Sequence, residues 1–322
     1  MSSSPNSNQS SSPPIARTSI IGTGTIGASW AALFLAHGLE VVLHDPGPDA
    51  EPFARAFITQ AWPALVTLGI AQPEIPWHAL RFKADLERAV ADADLVQENA
   101  PEREAFKIDL YRQLDAAAPA HAILASSTSG LHMSRLQSQC AHPERCVIGH
   151  PFNPPHLIPL VEVVGGQHTS NETIERTMAF YRQVGKRPIR INKEVSGHVA
   201  NRLQAAIWRE AVYLAAQGVA SVEDIDTAIT EGPGVRWAIF GPHMTFNLGG
   251  GQGGMAHFLD HFSGPMKSWW DDLGEAPLDE TTREILIRGL TEESRGRNIQ
   301  ALAQERDDML LRVLEAKRGS HQ

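Results

Sequence analysis

The chain has 322 residues, of which 42% are hydrophobic and 20% charged, and its formal net charge is −9. The length favours two domains, and the acidic balance argues against nucleic acid as a partner, because phosphate binding needs a basic surface. No apolar run approaches the ~20 residues of a membrane helix, so no membrane partner is expected. The two cysteines, Cys140 and Cys146, are too few for a disulfide framework and favour a cytoplasmic location.

The order of predicted elements indicates an α/β protein. Residues 1–17 are interpreted as a disordered tail, because the first 14 are rich in Ser and Pro and carry no charge. Short apolar runs then alternate with helical segments, which predicts a parallel, doubly wound Rossmann-type sheet over 18–196. The predicted strands lie at 18–21, 41–43, 95–96, 122–125, 146–148 and 160–164. From 197 to 318 the pattern is helical, so an all-α second domain is expected.

A glycine-rich turn follows the first predicted strand and precedes a predicted helix. Its glycines follow the dinucleotide fingerprint, and Asp45 ends the next predicted strand at the distance expected of the acidic residue that binds the ribose. A carboxylate there would repel a 2′-phosphate, so NAD is favoured over NADP. A flavin site and a turn without ligand stay open as alternatives. The candidate cofactor-binding residues are Gly22, Thr23, Gly24, Thr25, Ile26, Gly27 and Asp45.

Four polar residues further along the chain fit the oxidation of a hydroxyl group. His150 follows a predicted strand and suits a general base, because the ordinary pKa of imidazole lies near neutrality. Glu162 could hold the ring tautomer, while Ser129 and Asn201 could bind the substrate oxygen. Each residue alone could equally be structural. His150 could be an ordinary loop residue, Glu162 a solvated charge, Ser129 a helix cap and Asn201 a residue at the start of a helix. The glycine-rich motif upstream favours the catalytic interpretation.

The order and spacing of these motifs resemble the 3-hydroxyacyl-CoA dehydrogenase family. The resemblance implies that His150 is the catalytic base, that Glu162 is its partner, and that Ser129 and Asn201 are ligands of the substrate oxygen. It also implies that Glu98 lies near the cofactor, and that the protein forms a homodimer through its helical domain. The segments that carry it are Gly22-Thr-Gly-Thr-Ile-Gly27, Ser126-Ser-Thr-Ser129, His150-Pro-Phe-Asn-Pro154, Leu160-Val-Glu-Val163 and Gly197-His-Val-Ala-Asn-Arg202.

Two departures from the family concern the substrate. Pro151 stands where acyl-CoA members usually have Phe, and residues 46–80 contain one basic residue, Arg55, where those members carry a basic insert. So little positive charge argues against a CoA thioester as the substrate, because the phosphates of CoA need cationic partners.

The segment Gly232–Pro242 resembles the branch of the family that oxidises small free 3-hydroxy acids, L-carnitine or L-gulonate. In that branch Arg236 could bind the carboxylate. A third of the aromatic residues fall between 237 and 270, and Trp237, Phe240 and Phe246 are candidates for a cage around a trimethylammonium group. The same aromatics could instead form the helical core or a dimer interface.

The best prediction is NAD-dependent oxidation of L-carnitine to 3-dehydrocarnitine. The alternatives are an L-gulonate 3-dehydrogenase, a 3-hydroxyacyl-CoA dehydrogenase and a crystallin-like structural protein. No metal is expected, although His257 and His261 are spaced to share a helix face.

Overall fold

The computed structural model of the chain describes residues 14–276 and 278–319. They group into two compact units, and the chain divides between them after Val199. Most of the tail predicted for 1–17 lies outside the described residues. The end of that stretch belongs to the folded chain, because Ile15 is buried and a strand begins at Arg17. The division after Val199 lies three residues beyond the predicted boundary at 196.

The first unit is built on one eight-stranded sheet, and the predicted α/β fold is confirmed. Its spatial order is β3-β2-β1-β4-β5-β6-β7-β8. The sequence analysis missed β3 and β8, since β3 is only three residues long and β8 contains two Arg and a Pro. The strands are β1 (Arg17–Ile21), β2 (Glu40–His44), β3 (Leu80–Phe82), β4 (Leu95–Glu98), β5 (Ile123–Ser126), β6 (Cys146–Pro151), β7 (Leu160–Gly165) and β8 (Arg187–Ile191).

The predicted parallel sheet contains one antiparallel pair of strands. β6 and β7 are antiparallel, whereas the other neighbouring strands are parallel. Only residues 152–159 join these two strands, and that connection is too short for the crossover that parallel strands require. The antiparallel register places His150 directly opposite Glu162.

Helices cover both faces of the sheet, and each face has its own apolar core. In β1, Ile20 contributes to one core and the next residue, Ile21, to the other, as the two-residue period of a strand requires. The first core contains side chains of α1, α2 and α6, and the second contains side chains of α3, α4 and α5. These helices are α1 (Thr25–Ala36), α2 (Ala50–Thr67), α3 (Leu86–Val90), α4 (Glu104–Ala117), α5 (Met133–Leu136) and α6 (Asn171–Gln183).

The described secondary structure of the second unit consists of helices, as expected. Within it, α12 packs against α7 and α8, and α10 packs against α11. In the part of the chain that the structure describes, no helix is both long and apolar enough to cross a membrane. The helices are α7 (Ala200–Ala216), α8 (Val222–Thr230), α9 (Pro233–Trp237), α10 (Pro242–Gly249), α11 (Gly254–Asp272), α12 (Glu280–Ser294) and α13 (Ile299–Gly319).

Candidate active site

The turn between β1 and α1 has the geometry of a dinucleotide site. Gly22 has φ +85°, a conformation that side chains disfavour. A Cβ at Gly27 would clash with the carbonyl oxygen of Gly22, so only glycine lets α1 approach the strand this closely. A Cβ at Gly24 would meet no atom within 4 Å, so the backbone faces open space there. Asp45 holds the turn, because its Oδ2 accepts the N–H of Thr23 at 2.8 Å.

A cavity of about 660 Å³ opens beside this turn. Gly22, Gly24 and Asp45 line it, so the residues present fit NAD. The remaining predicted members, Thr23, Thr25, Ile26 and Gly27, belong to the turn and the first turn of α1. The sequence analysis missed the opposite wall, to which the loop after β4 and helix α4 contribute. That wall includes Asn99, Ala100, Pro101, Arg103, Phe106 and Leu110.

His150 and Glu162 form a buried pair on neighbouring strands. The two side chains lie on the same face because the residues are directly opposite in the antiparallel register. Nδ1 of His150 lies 2.9 Å from Oε2 of Glu162, and the two residues are 6% and 0% exposed. Within the described residues Nε2 of His150 makes no hydrogen bond, so it is the ring nitrogen available to a ligand. A carboxylate at Nδ1 favours the tautomer with the proton on that nitrogen.

The loop after β5 presents one hydroxyl that the protein does not use. Oγ of Ser126 donates to Glu98, Oγ of Ser127 donates to Asn99, and Oγ1 of Thr128 donates to Glu102. Ser129 is exposed, and its hydroxyl makes no hydrogen bond among the residues that the structure describes. This difference singles out Ser129 as the hydroxyl available to a substrate.

A second histidine lies beside the pair, and the sequence analysis did not single it out. The ring of His198 is 5.1 Å from that of His150, measured between centroids, and its Nε2 lies 3.1 Å from the carbonyl oxygen of Thr128. Burial lowers the pKa of His198, which favours the neutral form of the ring near pH 7. The next residue, Val199, donates its N–H to Oε1 of Glu162 at 2.9 Å.

Glu98 is in the same region but does not line the cavity. It is 0% exposed, and both of its oxygens are bound within the protein. Oε1 accepts hydrogen bonds from Nζ of Lys107 and from the N–H of Ala100, each at 2.6 Å, and Oε2 accepts one from Ser126 at 2.6 Å. These contacts give Glu98 a structural role in which it joins the ends of β4 and β5, and its place near the cofactor stays a prediction.

The remaining candidates belong to the helical unit. Asn201 is the second residue of α7, and Arg236 and Trp237 end α9. Phe246 of α10 stacks on Phe258 of α11, with ring centroids 4.8 Å apart, and so has a structural partner. Phe258 in turn stacks on Phe262, whereas Phe240 makes no ring contact among the described residues. The roles of these residues in substrate binding stay predictions.

The connection after His150 contains a buried histidine that makes stability dependent on pH. Burial, and to a smaller extent Lys186, lowers the pKa of His156 to about 4. Its Nδ1 lies 2.8 Å from Oγ of Ser29, which also accepts the N–H of His156 at 2.9 Å. Between pH 6.5 and 4 the unfolded chain therefore binds one more proton here than the folded chain.

We expect this histidine to remove up to about 3 kcal/mol of stability as the pH falls from 6.5 to 4. Urea denaturation at several pH values in this range measures the loss. The His156→Asn variant should lose less stability over the same range, whereas His142→Ala, which changes an exposed ring, should match the unmodified protein. An equal slope for His156→Asn and the unmodified protein would contradict the assignment.

Comparison with known proteins identifies the family. Residues 17–195 match the NAD binding domain of 3-hydroxyacyl-CoA dehydrogenase, and residues 197–284 match the C-terminal domain of that enzyme. The chain belongs to the 3-hydroxyacyl-CoA dehydrogenase family. As a member of the 3-hydroxyacyl-CoA dehydrogenase family, it is an NAD-dependent oxidoreductase, and the predicted cofactor and reaction class are confirmed.

Several members of the 3-hydroxyacyl-CoA dehydrogenase family are similar over nearly the whole chain. L-carnitine dehydrogenase of Streptomyces coelicolor is 49% identical over 302 residues, which cover 94% of this chain and 95% of that protein. L-carnitine dehydrogenase of Pseudomonas putida is 46% identical over 300 residues, 93% of each chain. Among solved structures, an NAD⁺-dependent dismutase, 5-formyl-3-hydroxy-2-methylpyridine 4-carboxylic acid 5-dehydrogenase, has a TM-score of 0.80 and 34% identity. That comparison covers 94% of this chain and 99% of the other.

Proposed function

We propose that the protein oxidises the 3-hydroxyl group of L-carnitine to give 3-dehydrocarnitine. The observation that carries the reaction is the buried His150–Glu162 pair, whose free Nε2 lies at the same edge of the sheet as the glycine-rich turn. The near full-length similarity to L-carnitine dehydrogenases, at 44–49% identity, supports the choice of substrate.

In this mechanism Nε2 of His150 takes the proton of the 3-hydroxyl group. The carboxylate of Glu162, 2.9 Å from Nδ1, stabilises the imidazolium that forms. Bound NAD supplies the acceptor for the hydride that leaves C3. The hydroxyl of Ser129 and the amide of Asn201 donate to the substrate oxygen and stabilise the charge that develops on it.

Arg55 supports a small substrate over a CoA thioester. It is the one basic residue between 46 and 80, and its guanidinium group already bonds Glu51 at 2.7 and 2.9 Å. It also lies over the ring of Trp77, with its Cζ 5.3 Å from the ring centroid. The segment therefore has no uncommitted cation for the phosphates of CoA.

A free carboxylate and a trimethylammonium group need partners in the helical unit. Arg236 is proposed for the carboxylate, and Trp237, Phe240 and Phe246 for the cation. Phe246 can offer only the ring face that does not pack on Phe258.

We further propose a cytoplasmic homodimer that forms through the helical unit. Supporting the dimer, α7 exposes Leu203 and Trp208, each 54% exposed, and α11 exposes Trp269 and Trp270, which are 62% and 66% exposed. Large apolar side chains at such exposure are typical of surfaces that a partner covers. The two cysteines are free thiols, which suits a reducing compartment.

The test is the initial rate of NADH formation from NAD with L-carnitine, L-gulonate and 3-hydroxybutyryl-CoA. We expect L-carnitine to have the highest kcat/KM. Activity on the CoA thioester alone would refute the proposed substrate and leave the reaction class intact, whereas activity on L-gulonate alone would assign the protein to the other branch.

A further inference from the structure

The central strand β4 carries a buried glutamine that the mechanism does not use. Gln97 is 0% exposed and pairs with Ala125 of β5 in the parallel register. Ala125 in turn pairs with Val147 of β6, and Gly149, two residues further along β6, lies on the same face as Val147. Because the side chain of Ala125 is a single methyl group, the longer side chain of Gln97 reaches across β5 to the backbone of β6.

Three contacts fix the amide group of Gln97. Its Nε2 donates to the carbonyl oxygen of Gly149 at 3.3 Å and to Oγ of Ser127 at 2.8 Å, and its Oε1 accepts the hydroxyl of Tyr181 at 2.6 Å. A carbonyl oxygen can only accept, so the amide nitrogen must face Gly149, and this sets the direction of the other two bonds. The carbonyl group of Gly149 belongs to the peptide that leads into His150.

The hydrogen bonds continue from Gln97 to the wall of the cofactor cavity. Oγ of Ser127 accepts from Gln97 and also from Nε1 of Trp30 at 3.2 Å. The one proton of that hydroxyl is therefore left for Oδ1 of Asn99, which lies 2.7 Å away. Nδ2 of Asn99 donates to the carbonyl oxygen of Gln97 at 2.8 Å. Asn99 lines the cavity that fits NAD, so the network fixes the orientation of one side chain in that wall.

We propose that Gln97 is a positioning residue that holds the general base and the wall of the cofactor cavity in a fixed relative position. Its amide nitrogen bonds the peptide before His150 on one side and, through Ser127, Asn99 on the other. The base and the hydride acceptor act on the same C–O–H group of the substrate, so their separation must be constant. A displacement of reacting groups by ~1 Å can lower the rate by about 10²-fold. The proposal rests on the proposed function in that His150 is taken as the base.

The test replaces Gln97 by Met, which has a similar length but no amide group. On whichever substrate of the panel the unmodified protein oxidises fastest, we expect kcat to fall by about 10- to 100-fold. The dissociation constant for NAD, measured by calorimetry, should rise by less than about threefold, because Trp30 still holds Ser127. With substrate deuterated at the carbon that loses the hydride, the primary isotope effect should be at least as large as that of the unmodified protein, because the slowed step is the chemical one.

The conservative variant Gln97→Glu keeps the size of the side chain and the acceptor for the Tyr181 hydroxyl. Burial favours its neutral, protonated form, which has one proton to donate instead of two. It can therefore bond Gly149 or Ser127 but not both. We expect its kcat to lie between those of Gln97→Met and the unmodified protein.

A second buried glutamine, Gln137, provides a matched control, since it is 1% exposed and makes the same kinds of contact outside the site. Its Nε2 donates to the carbonyl oxygen of Pro143 at 2.6 Å, and its Oε1 accepts the N–H of His168 at 3.2 Å. Gln137→Met should lower Tm, as Gln97→Met does, but leave kcat within about twofold.

Three results would overturn the role of Gln97. The first is a Gln97→Met protein that keeps its kcat within about twofold, and the second is a Gln137→Met protein that loses as much kcat. The third is a smaller isotope effect in Gln97→Met, which would place the loss in a step other than hydride transfer.

The proposed function fails separately, when the unmodified protein does not oxidise L-carnitine or when His150→Ala keeps its turnover. The Gln97 and Gln137 variants are then still compared on the substrate that the protein does oxidise.

Discussion

Replacement of His150 by Ala should lower kcat by about 10²- to 10⁴-fold, the range that a general base contributes. The variant loses the imidazole that takes the hydroxyl proton and that lies 2.9 Å from Oε2 of Glu162. The glycine-rich turn lies at a different strand, so the dissociation constant for NAD should stay within about twofold. Steady-state rates of NADH formation and calorimetric titration with NAD measure the two effects.

The control for His150→Ala is His142→Ala, because the His142 side chain is 59% exposed and lies in the turn before β6. That variant should keep the kcat of the unmodified protein. Glu162→Gln should fall between the two, since an amide can orient the ring but cannot neutralise the imidazolium. If His150→Ala turned over at the rate of the unmodified protein, His150 would not be the base.

Replacement of Lys107 by Met should cost about 3–5 kcal/mol of unfolding free energy, as is typical when one partner of a buried ion pair is removed. Glu98, which is 0% exposed, would lose the ammonium group 2.6 Å from its Oε1 and keep only neutral donors. The destabilisation should appear as a lower urea midpoint and a lower Tm.

The double variant Lys107→Met with Glu98→Gln provides the counterpart of this experiment. It removes both charges, so it should be more stable than Lys107→Met alone. The exposed pair formed by Lys267 and Asp271 is the control, and Lys267→Met should unfold at the same midpoint as the unmodified protein. If Lys107→Met were as stable as the unmodified protein, the buried pair would contribute nothing to the free energy of unfolding.

The glycine-rich turn and Asp45 of the dinucleotide site could be predicted from the sequence, because the structural requirement at each of these positions is local. A tight turn needs glycine at Gly22, and close packing of helix on strand needs glycine at Gly27. Asp45 ends a strand that pairs directly with the first, so its place follows from the order of elements.

Contacts between segments distant in the chain could not be predicted in the same way. Nothing in the sequence around Glu98 indicates that Lys107 and Ser126 bind its carboxylate in the interior. Glu102 and His198 converge on one loop from 26 and 70 residues away, and nothing in their local sequence indicates this. β8 was missed because an edge strand tolerates Arg and Pro, which a local pattern counts against a strand.

The antiparallel register of β6 and β7 has a consequence for how the protein can vary. The distance between His150 and Glu162 depends on the ladder between the two strands and not on the residues 152–159 that join them. That connection could therefore lengthen or shorten during evolution, or be redesigned around a different substrate, without separating the pair. A slip of the ladder by one residue would instead send the two side chains to opposite faces of the sheet. The chemistry is thus inherited with the strand pairing, and the joining segment is the part of the site left free to change.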